Sequence, residues 1–368
     1  MKILVIGRYF YPQLGGGEIA LKQIFSALAK KGHKIYVVTS RLENGPAYEE
    51  IDGLEIYRPY SGGSSFKEAV LFSLRLTSYL KDFLKLHPVD VIFGIAYSST
   101  LPASYAARKG GVPLVTHVGY FFDKTWFLLT NPFLAFFNWV IPGIVLRFGG
   151  HNIICCPSNE VSRKLQGYTK AEVIAIPNGL DTDEISYIRA SSAIKDMRTE
   201  LGITDGERLL LFVGRLSPEK NLSGLIKTLH GLDINFKLAV VGDGPQRDRL
   251  ENLTQKLKLE RQVIFLGYKS HRETLAIMKS CDVLILPSKT EVFPMVVLEA
   301  LALGRPVIAT RVGGIAEVKS TNLHLINSIA EIREILPQIK PEPDGDLLEH
   351  YSLDKVCSQY EAMFRKLV

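Results

Sequence analysis

Cysteine is scarce in this chain. Four occur in 368 residues, Cys155, Cys156, Cys281 and Cys357, two of them adjacent and none at the spacing of a metal-ligand set. A zinc site and a disulfide framework are both poor readings of that pattern, and reduced thiols of a cytoplasmic protein are expected instead. No apolar leader is expected from the first residues. Met1-Lys2 runs straight into Ile3-Leu4-Val5-Ile6-Gly7, too short for the core of a signal peptide and read as a first strand. Extreme composition is absent too: 46% hydrophobic and 22% charged residues are ordinary for a globular protein and exclude disorder. The dinucleotide fingerprint Gly-x-Gly-x-x-Gly does not follow the first strand, and Gly15-Gly16-Gly17-Glu18 stands later than that motif allows. Charge, finally, is missing from the 22 residues 125–146 between Lys124 and Arg147.

What is present is a repeated alternation of short apolar runs and amphipathic stretches, the pattern of βαβ units on a parallel sheet. At 368 residues the chain exceeds one ordinary core, so two such domains are expected. Strands are predicted over 3–6, 35–39, 89–93, 113–117 and 152–156 in the first half. In the second they are predicted over 209–213, 237–241, 263–266, 283–286 and 307–310. Helices are predicted over 18–31, 67–86, 221–232 and 247–258, and a last one near 352–367 after Pro337, Pro341 and Pro343. The division is expected near 167–172. Ligands of open α/β sheets bind at the carboxyl ends of the strands, so two domains of this kind imply a cleft there.

The charge is uneven. Residues 1–168 hold 18 Lys and Arg against 11 Asp and Glu, and residues 169–368 hold 26 against 27, so the net +6 resides in the first half. A basic half suits an acidic partner, such as anionic lipid or a phosphate-bearing acceptor, and equally suits a solvated lysine surface. The uncharged run is long enough to span a bilayer. However, Asn131, Pro132, Asn138 and Pro142 interrupt it, and it falls between two strands of one sheet. A buried helix or a membrane-surface element is therefore expected in place of a span. Trp126, Phe127 and Trp139 carry rings of the kind that settle at headgroup level and are the candidates for contact with a membrane or a lipid acceptor.

Chemistry concentrates around two glutamates. Glu291 follows the apolar run 282–286, and Glu299 lies on a helix that opens near Pro294. Unpaired backbone N–H groups at such a junction favour anions. N–H groups for phosphates and carboxylates for hydroxyls together suit a nucleotide sugar. Arg215 and Lys220, in Gly214-Arg215-Leu216-Ser217-Pro218-Glu219-Lys220-Asn221, close the first strand of the second half. They can stabilise charge developing on a leaving diphosphate, or form a basic turn paired with surface carboxylates. His117 ends a strand, where a lone histidine is often a satisfied core or cap residue. Asp181-Thr182-Asp183 and Asp344-Gly345-Asp346 read as turn chemistry, and no metal is implied.

The segment from Glu291 to Glu299 resembles the Glu-x7-Glu segment of the retaining glycosyltransferases of family 4 (glycosyl transferases group 1). Its usual form is Glu-Gly-Phe-Gly followed by Leu-Glu-Ala. Phe293, Glu299, Ala300, the Gly304-x-Pro306 turn and Gly313-Gly314 are kept, whereas Val292 and Pro294 replace the two glycines. The 214–221 run is similar to the family's Gly-Arg-Leu-x-x-x-Lys-Gly/Asn. After Glu317 the resemblance thins, and Lys319-Ser320-Thr321-Asn322-Leu323 stands where Asp-Gly-x-x-Gly-Leu-Leu is usual.

The resemblance implies an α/β GT-B fold, two Rossmann-like domains facing across a cleft. Residues 1–170 would form the acceptor domain, joined by a C-terminal helix over 351–368 that crosses back to it, and 171–350 the donor domain. It implies transfer of a hexosyl group from a UDP- or GDP-sugar with retention, without metal or cofactor. Glu291 would hold the hydroxyls of the transferred sugar and Glu299 the ribose. The backbone of Phe293, Pro294, Met295 and Val296 would cap the phosphates, although a proline removes one donor. Gly15, Gly16 and Gly17 would lie against the donor phosphates, His117 would orient the donor sugar, and Arg215 and Lys220 would stabilise the leaving group. The partners implied are the nucleotide sugar and a lipid-linked saccharide or glycolipid acceptor of cell-envelope or glycoconjugate assembly. An anionic membrane surface is a further candidate partner, and no nucleic acid is. The protein is expected in the cytoplasm, peripheral on the inner face of the membrane. Two other readings stay open. A nucleotide-sugar epimerase of the same fold would need acid–base residues, for which His117 and Glu18 are the few candidates. An inactive donor-binding partner subunit is favoured by Val292 and Pro294.

Overall fold

The computed structural model describes residues 1–12, 15–41, 45–63, 66–97, 99–120, 132–191, 197–342 and 347–368, apart from the side chains of 66 and 132–139. Two compact units are present: Met1–Gly179 with Leu353–Val368, and Leu180–Ser352.

The first unit is built on β1 (Lys2–Ile6), β2 (Lys34–Arg41), β3 (Tyr48–Ile51), β4 (Leu54–Ser61), β5 (Val91–Ile95), β6 (Leu114–His117), β7 (Ile153–Cys156) and β8 (Glu172–Ala175). They form one sheet in the order β3-β4-β2-β1-β5-β6-β7-β8. Every pairing is parallel except β3 with β4. Successive side chains of a strand face opposite sides, and the central strands are apolar on both. Ile3 and Val5 pack with Phe25, Phe93 and the apolar residues of the C-terminal helix Leu353–Arg365: Val356, Cys357, Tyr360, Met363 and Phe364. Leu4 and Ile6 pack on the other face with Phe72, Leu76 and Leu80 of the helix Phe66–Leu86. The C-terminal helix thus completes the core of the first unit, as the resemblance implies.

Two features of the first unit differ from the reading of the sequence, and a third bears on the uncharged run. β3 and β4 form a hairpin whose turn places both Asp52 and Gly53 at positive φ, the geometry that Asp-Gly favours in two-residue turns. β8 pairs in register with β7, so the division falls after Gly179 rather than near residue 170. The uncharged run lies partly in the helix Pro132–Phe148, with Pro142 inside it, and Trp126 and Phe127 lie outside the described residues. Val145 and Leu146 of that helix are buried, while Ile144 is 54% and Phe148 67% exposed. Among the described residues no helix is long and apolar enough to cross a membrane.

The second unit carries β9 (Arg208–Val213), β10 (Phe236–Val241), β11 (Val263–Gly267), β12 (Val283–Leu286), β13 (Val307–Thr310) and β14 (Leu323–Ile326). Their order is β11-β10-β9-β12-β13-β14, all parallel. Leu210, Phe212, Leu238, Val240, Ile285 and Ile308 fill one side of the sheet against Leu222, Leu225, Ile226 and Leu229 of the helix Leu222–Leu229. β14, which the sequence reading did not place, follows the stretch where the resemblance thins. The strand order reverses between β9 and β12, and in open parallel sheets the crevice for a ligand opens at the carboxyl ends of such a pair.

Candidate functional site

Both chain segments that leave the β9–β12 switch point carry the residues singled out above. After β9 the backbone turns through Gly214 and Arg215 into a short helical turn, Pro218–Lys220, which ends at Asn221 in the left-handed region with φ 55°. Asparagine tolerates that conformation better than most side chains. The turn is clamped to the loop after β12 at two points: the Lys289 N–H donates to the Glu219 carbonyl at 2.7 Å, and Asn221 Nδ2 donates to the Pro287 carbonyl at 3.3 Å. The clamp sets Lys220 Nζ 2.5 Å from Glu291 Oε1, which also accepts a hydrogen bond from Ser288 Oγ at 2.7 Å.

The Glu291 side chain is only 8% exposed. Enclosing a carboxylate is costly unless it is paired and hydrogen-bonded, and here one oxygen has both kinds of partner. Its Oε2 has no partner among the described residues. The position of Glu291 is fixed from behind by the Gly313-Gly314 pair. The Gly314 N–H donates to the Val292 carbonyl at 2.7 Å, and Gly313 sits at φ 59°, where a Cβ would lie 2.0 Å from the Glu291 carbonyl oxygen. Only glycine fits there.

Phe293 is buried and its ring lies 5.9 Å from that of Tyr351. Pro294 caps the helix Met295–Ala302 with φ −74°, and Val297 N–H returns to the Pro294 carbonyl at 3.2 Å. The amides of Met295 and Val296 are among those that a helix start leaves without intrahelical acceptors. Arg215 is exposed, and its guanidinium has no partner among the described residues.

Glu299, on the same helix, is 6% exposed at its side chain. Its Oε1 accepts from His271 Nε2 at 2.9 Å, and His271 Nδ1 lies 3.3 Å from Glu184 Oε2. His271 opens the helix His271–Ser280, whose capping box joins Ser270 and Glu273. Glu184 lies in the first turn of the helix Thr182–Ala190, capped by Asp181 Oδ1, which accepts from the N–H groups of Asp183 and Glu184. Asp181 is thus a helix cap, whereas Asp344-Gly345-Asp346 falls outside the described residues. Burial alone would lower the His271 value. The hydrogen bonds and charges of Glu184 and Glu299 outweigh it and push the imidazole up to about 10. The three groups do not surround a common point, and no cluster of His, Cys, Asp and Glu among the described residues is placed to hold a metal ion.

In the first unit, Gly15 caps the helix Gly16–Lys30 in an extended conformation, and the space around Gly16 and Gly17 is open to 4 Å. Burial holds the Glu18 carboxyl above the usual range. His117 ends β6 but is 4% exposed; its ring stacks on Phe93 at 5.7 Å, and Nδ1 lies 3.4 Å from Cys155 Sγ. Burial lowers it to about 4, so the imidazole is neutral near pH 7. All four cysteines are free and buried. Trp139 lies on the helix Pro132–Phe148, with its side chain outside the described set.

The sequence reading found Arg215, Lys220, Glu291 and Glu299 but missed Ser288, His271 and Glu184. Ser288 could have been found three residues before Glu291. His271 could not, because nothing local ties a first-turn histidine to a carboxylate 28 residues later.

Comparison with known proteins places this geometry in context. Residues 14–184 match the family described as Glycosyltransferase Family 4, and residues 193–324 match Glycosyl transferases group 1. The alpha-monoglucosyldiacylglycerol synthase of Streptococcus pneumoniae is 27% identical over 84% of this chain and 71% of its own length. Among solved structures, a sucrose-phosphate synthase from Thermosynechococcus elongatus superposes with a TM-score of 0.85 at 20% identity, covering 100% of this chain and 98% of the other. Anabaena HepE in complex with UDP-glucose superposes with a TM-score of 0.77 at 20% identity, both chains covered completely.

Proposed function

Because the chain belongs to glycosyltransferase family 4, within the glycosyl transferases of group 1, and has the GT-B fold, we propose that it moves a sugar from a UDP- or GDP-sugar to an acceptor with retention of anomeric configuration. One observation carries this reading: the nearly buried Glu291 carboxylate, held on Oε1 by Lys220 and Ser288 at the β9–β12 switch point, with Oε2 left for a hydroxyl. The Lys220 ammonium has three donors, so beside Glu291 it can still meet a diphosphate oxygen, and the free Arg215 guanidinium follows the same strand. These two cations, with the first amides of the helix Met295–Ala302, supply positive charge to a leaving diphosphate without a metal ion. The acceptor attacks from the face that the diphosphate leaves, and the protein contributes positioning and leaving-group stabilisation in place of a covalent nucleophile. Within the first unit, His117 is a neutral imidazole near pH 7, and the backbone at Gly16 and Gly17 is open enough for a phosphate to approach closely.

For the acceptor, the reading is a glycolipid or lipid-linked saccharide at an anionic membrane surface. The similarity to an alpha-monoglucosyldiacylglycerol synthase, the basic first half and the exposed Ile144 and Phe148 beside Arg147 support it. The experiment is a thermal-shift titration with UDP and GDP on wild type, Lys220→Ala and Glu299→Ala, followed by the sugar conjugates of the tighter nucleotide. The expected result is a rise in melting temperature with one nucleotide, lost in both variants, and a product whose anomeric proton shows the configuration of the donor. If neither nucleotide shifts the wild type, the donor site is absent and the proposal fails.

A further inference from the structure

Glu299 is the second motif carboxylate, and its surroundings contain more than the motif explains. Three separate helices deliver Glu184, His271 and Glu299 to one line, with the imidazole between two carboxylates at 3.3 and 2.9 Å. A ring with a carboxylate at each nitrogen donates to both only as the imidazolium. We propose that His271, held on its far side by Glu184, is a positioning residue for the nucleotide: it fixes Oε1 of Glu299 and leaves Oε2 to accept from the ribose hydroxyls of a nucleoside diphosphate. The inference rests on the reading of Glu299 as a donor contact.

The physical need is clear from burial. Glu299 is almost enclosed, and enclosing a carboxylate is costly unless a charged, hydrogen-bonding partner meets it. A histidine meets that need differently from a lysine. Its two N–H groups point in opposed directions from a rigid ring, so Glu184 on one side sets the angle presented to Glu299 on the other. The paired carboxylates hold the proton through the neutral range, with a value of about 10. The charged neighbours on its own helix are engaged elsewhere: Arg272 stacks over the Tyr187 ring at 5.1 Å, and Glu273 caps Ser270. Glu184, from the helix Thr182–Ala190, and Glu299, from the helix Met295–Ala302, are the titratable groups that face the ring.

The test is calorimetric titration of UDP and GDP into the full chain at about pH 6 to 10, on wild type, His271→Ala, His271→Gln, Glu184→Gln and Glu299→Ala. Loss of a hydrogen bond to a charged group corresponds to roughly tenfold to a hundredfold in Kd. Glu299→Ala and His271→Ala should both weaken the nucleotide by that amount, and His271→Gln, which keeps one amide donor, should recover part of it. Wild-type affinity should stay level to about pH 9 and weaken above it, and Glu184→Gln should move that weakening to lower pH, because one of the two charges holding the proton is gone. A histidine with a purely structural role would move no such limb. If Glu299→Ala weakens binding while His271→Ala leaves it within twofold, or if Glu184→Gln leaves the limb in place, the inference is overturned and the donor site stands. If Glu299→Ala changes nothing, the donor-site reading itself falls, and the inference with it.

Discussion

At the scale of single residues, the site is a set of side chains each held by something other than its neighbour in sequence. Lys220 reaches Glu291 across 71 positions because two backbone-directed hydrogen bonds clamp its turn to the loop after β12. Gly313 is the residue whose identity this arrangement leaves least free. In Gly313→Ala the new methyl meets the Glu291 carbonyl, and the backbone must hold a left-handed conformation that costs about 1–2 kcal/mol for an L side chain. The clash adds to that, and a domain of 150–250 residues loses roughly 2–4 °C of melting temperature per kcal/mol. The expected outcome is a fall of several degrees and a loss of transfer rate greater than the lost stability explains, because the loop carrying Glu291 must shift. A variant that keeps the wild-type rate and melting temperature would show that the loop yields freely. The sequence made Gly313-Gly314 visible as a motif but not its reason, which lies in a backbone 22 residues earlier.

At the scale of elements, apolar period and length located what packing later used. The strands buried on both faces and the long amphipathic helices were readable because each carries its own burial pattern. Of the strands missed, β4 alternates buried and half-buried residues clearly, whereas the other three have weak patterns. β3 reads Tyr-Glu-Glu-Ile and pairs only at a sheet edge, and β8 and β14 are short edge strands whose residues are mostly half-buried. The helix Pro132–Phe148 shows the same limit: its composition allowed several fates, and the structure shows Val145 and Leu146 buried beside exposed Ile144 and Phe148. On the membrane-surface reading, each of the two exposed side chains contributes about 1–2 kcal/mol on leaving water. Ile144→Ser with Phe148→Ser should therefore reduce the fraction sedimenting with vesicles containing anionic lipid by several-fold. Salt should weaken the wild-type interaction, since exposed charges are screened over about 8–10 Å. If the wild type ignores such vesicles at low salt, the membrane-surface reading is lost while the glycosyltransferase assignment is untouched.

At the scale of the whole molecule, two histidines impose opposite pH dependences on stability. The His271 value in the fold lies above its ordinary 6.5, so its contribution is whole below pH 6.5 and is lost as pH rises toward about 10. The His117 value lies below 6.5, at about 4, so the unfolded chain takes up the proton first. Stability is then lost as pH falls from 6.5 to about 4, by up to about 3 kcal/mol. Urea midpoints measured across this range should peak near neutral pH. His271→Gln should flatten the alkaline arm alone, and His117→Gln the acid arm alone; a shared response of both arms to either change would contradict the assignment. The acid arm belongs to the first unit and the alkaline arm to the second, because His117 lies in Met1–Gly179 and His271 in Leu180–Ser352. By itself the sequence determined the fold class, the α/β alternation and the two motif glutamates, since periodicity and loop chemistry act over a few residues and are written locally. Only the tertiary structure decided which cation meets which carboxylate: Lys220 for Glu291 and His271 for Glu299. Those choices depend on strand order, which sets β9 beside β12 and brings the loops after them together. They depend as well on helix packing, which turns three side chains from distant segments onto one line.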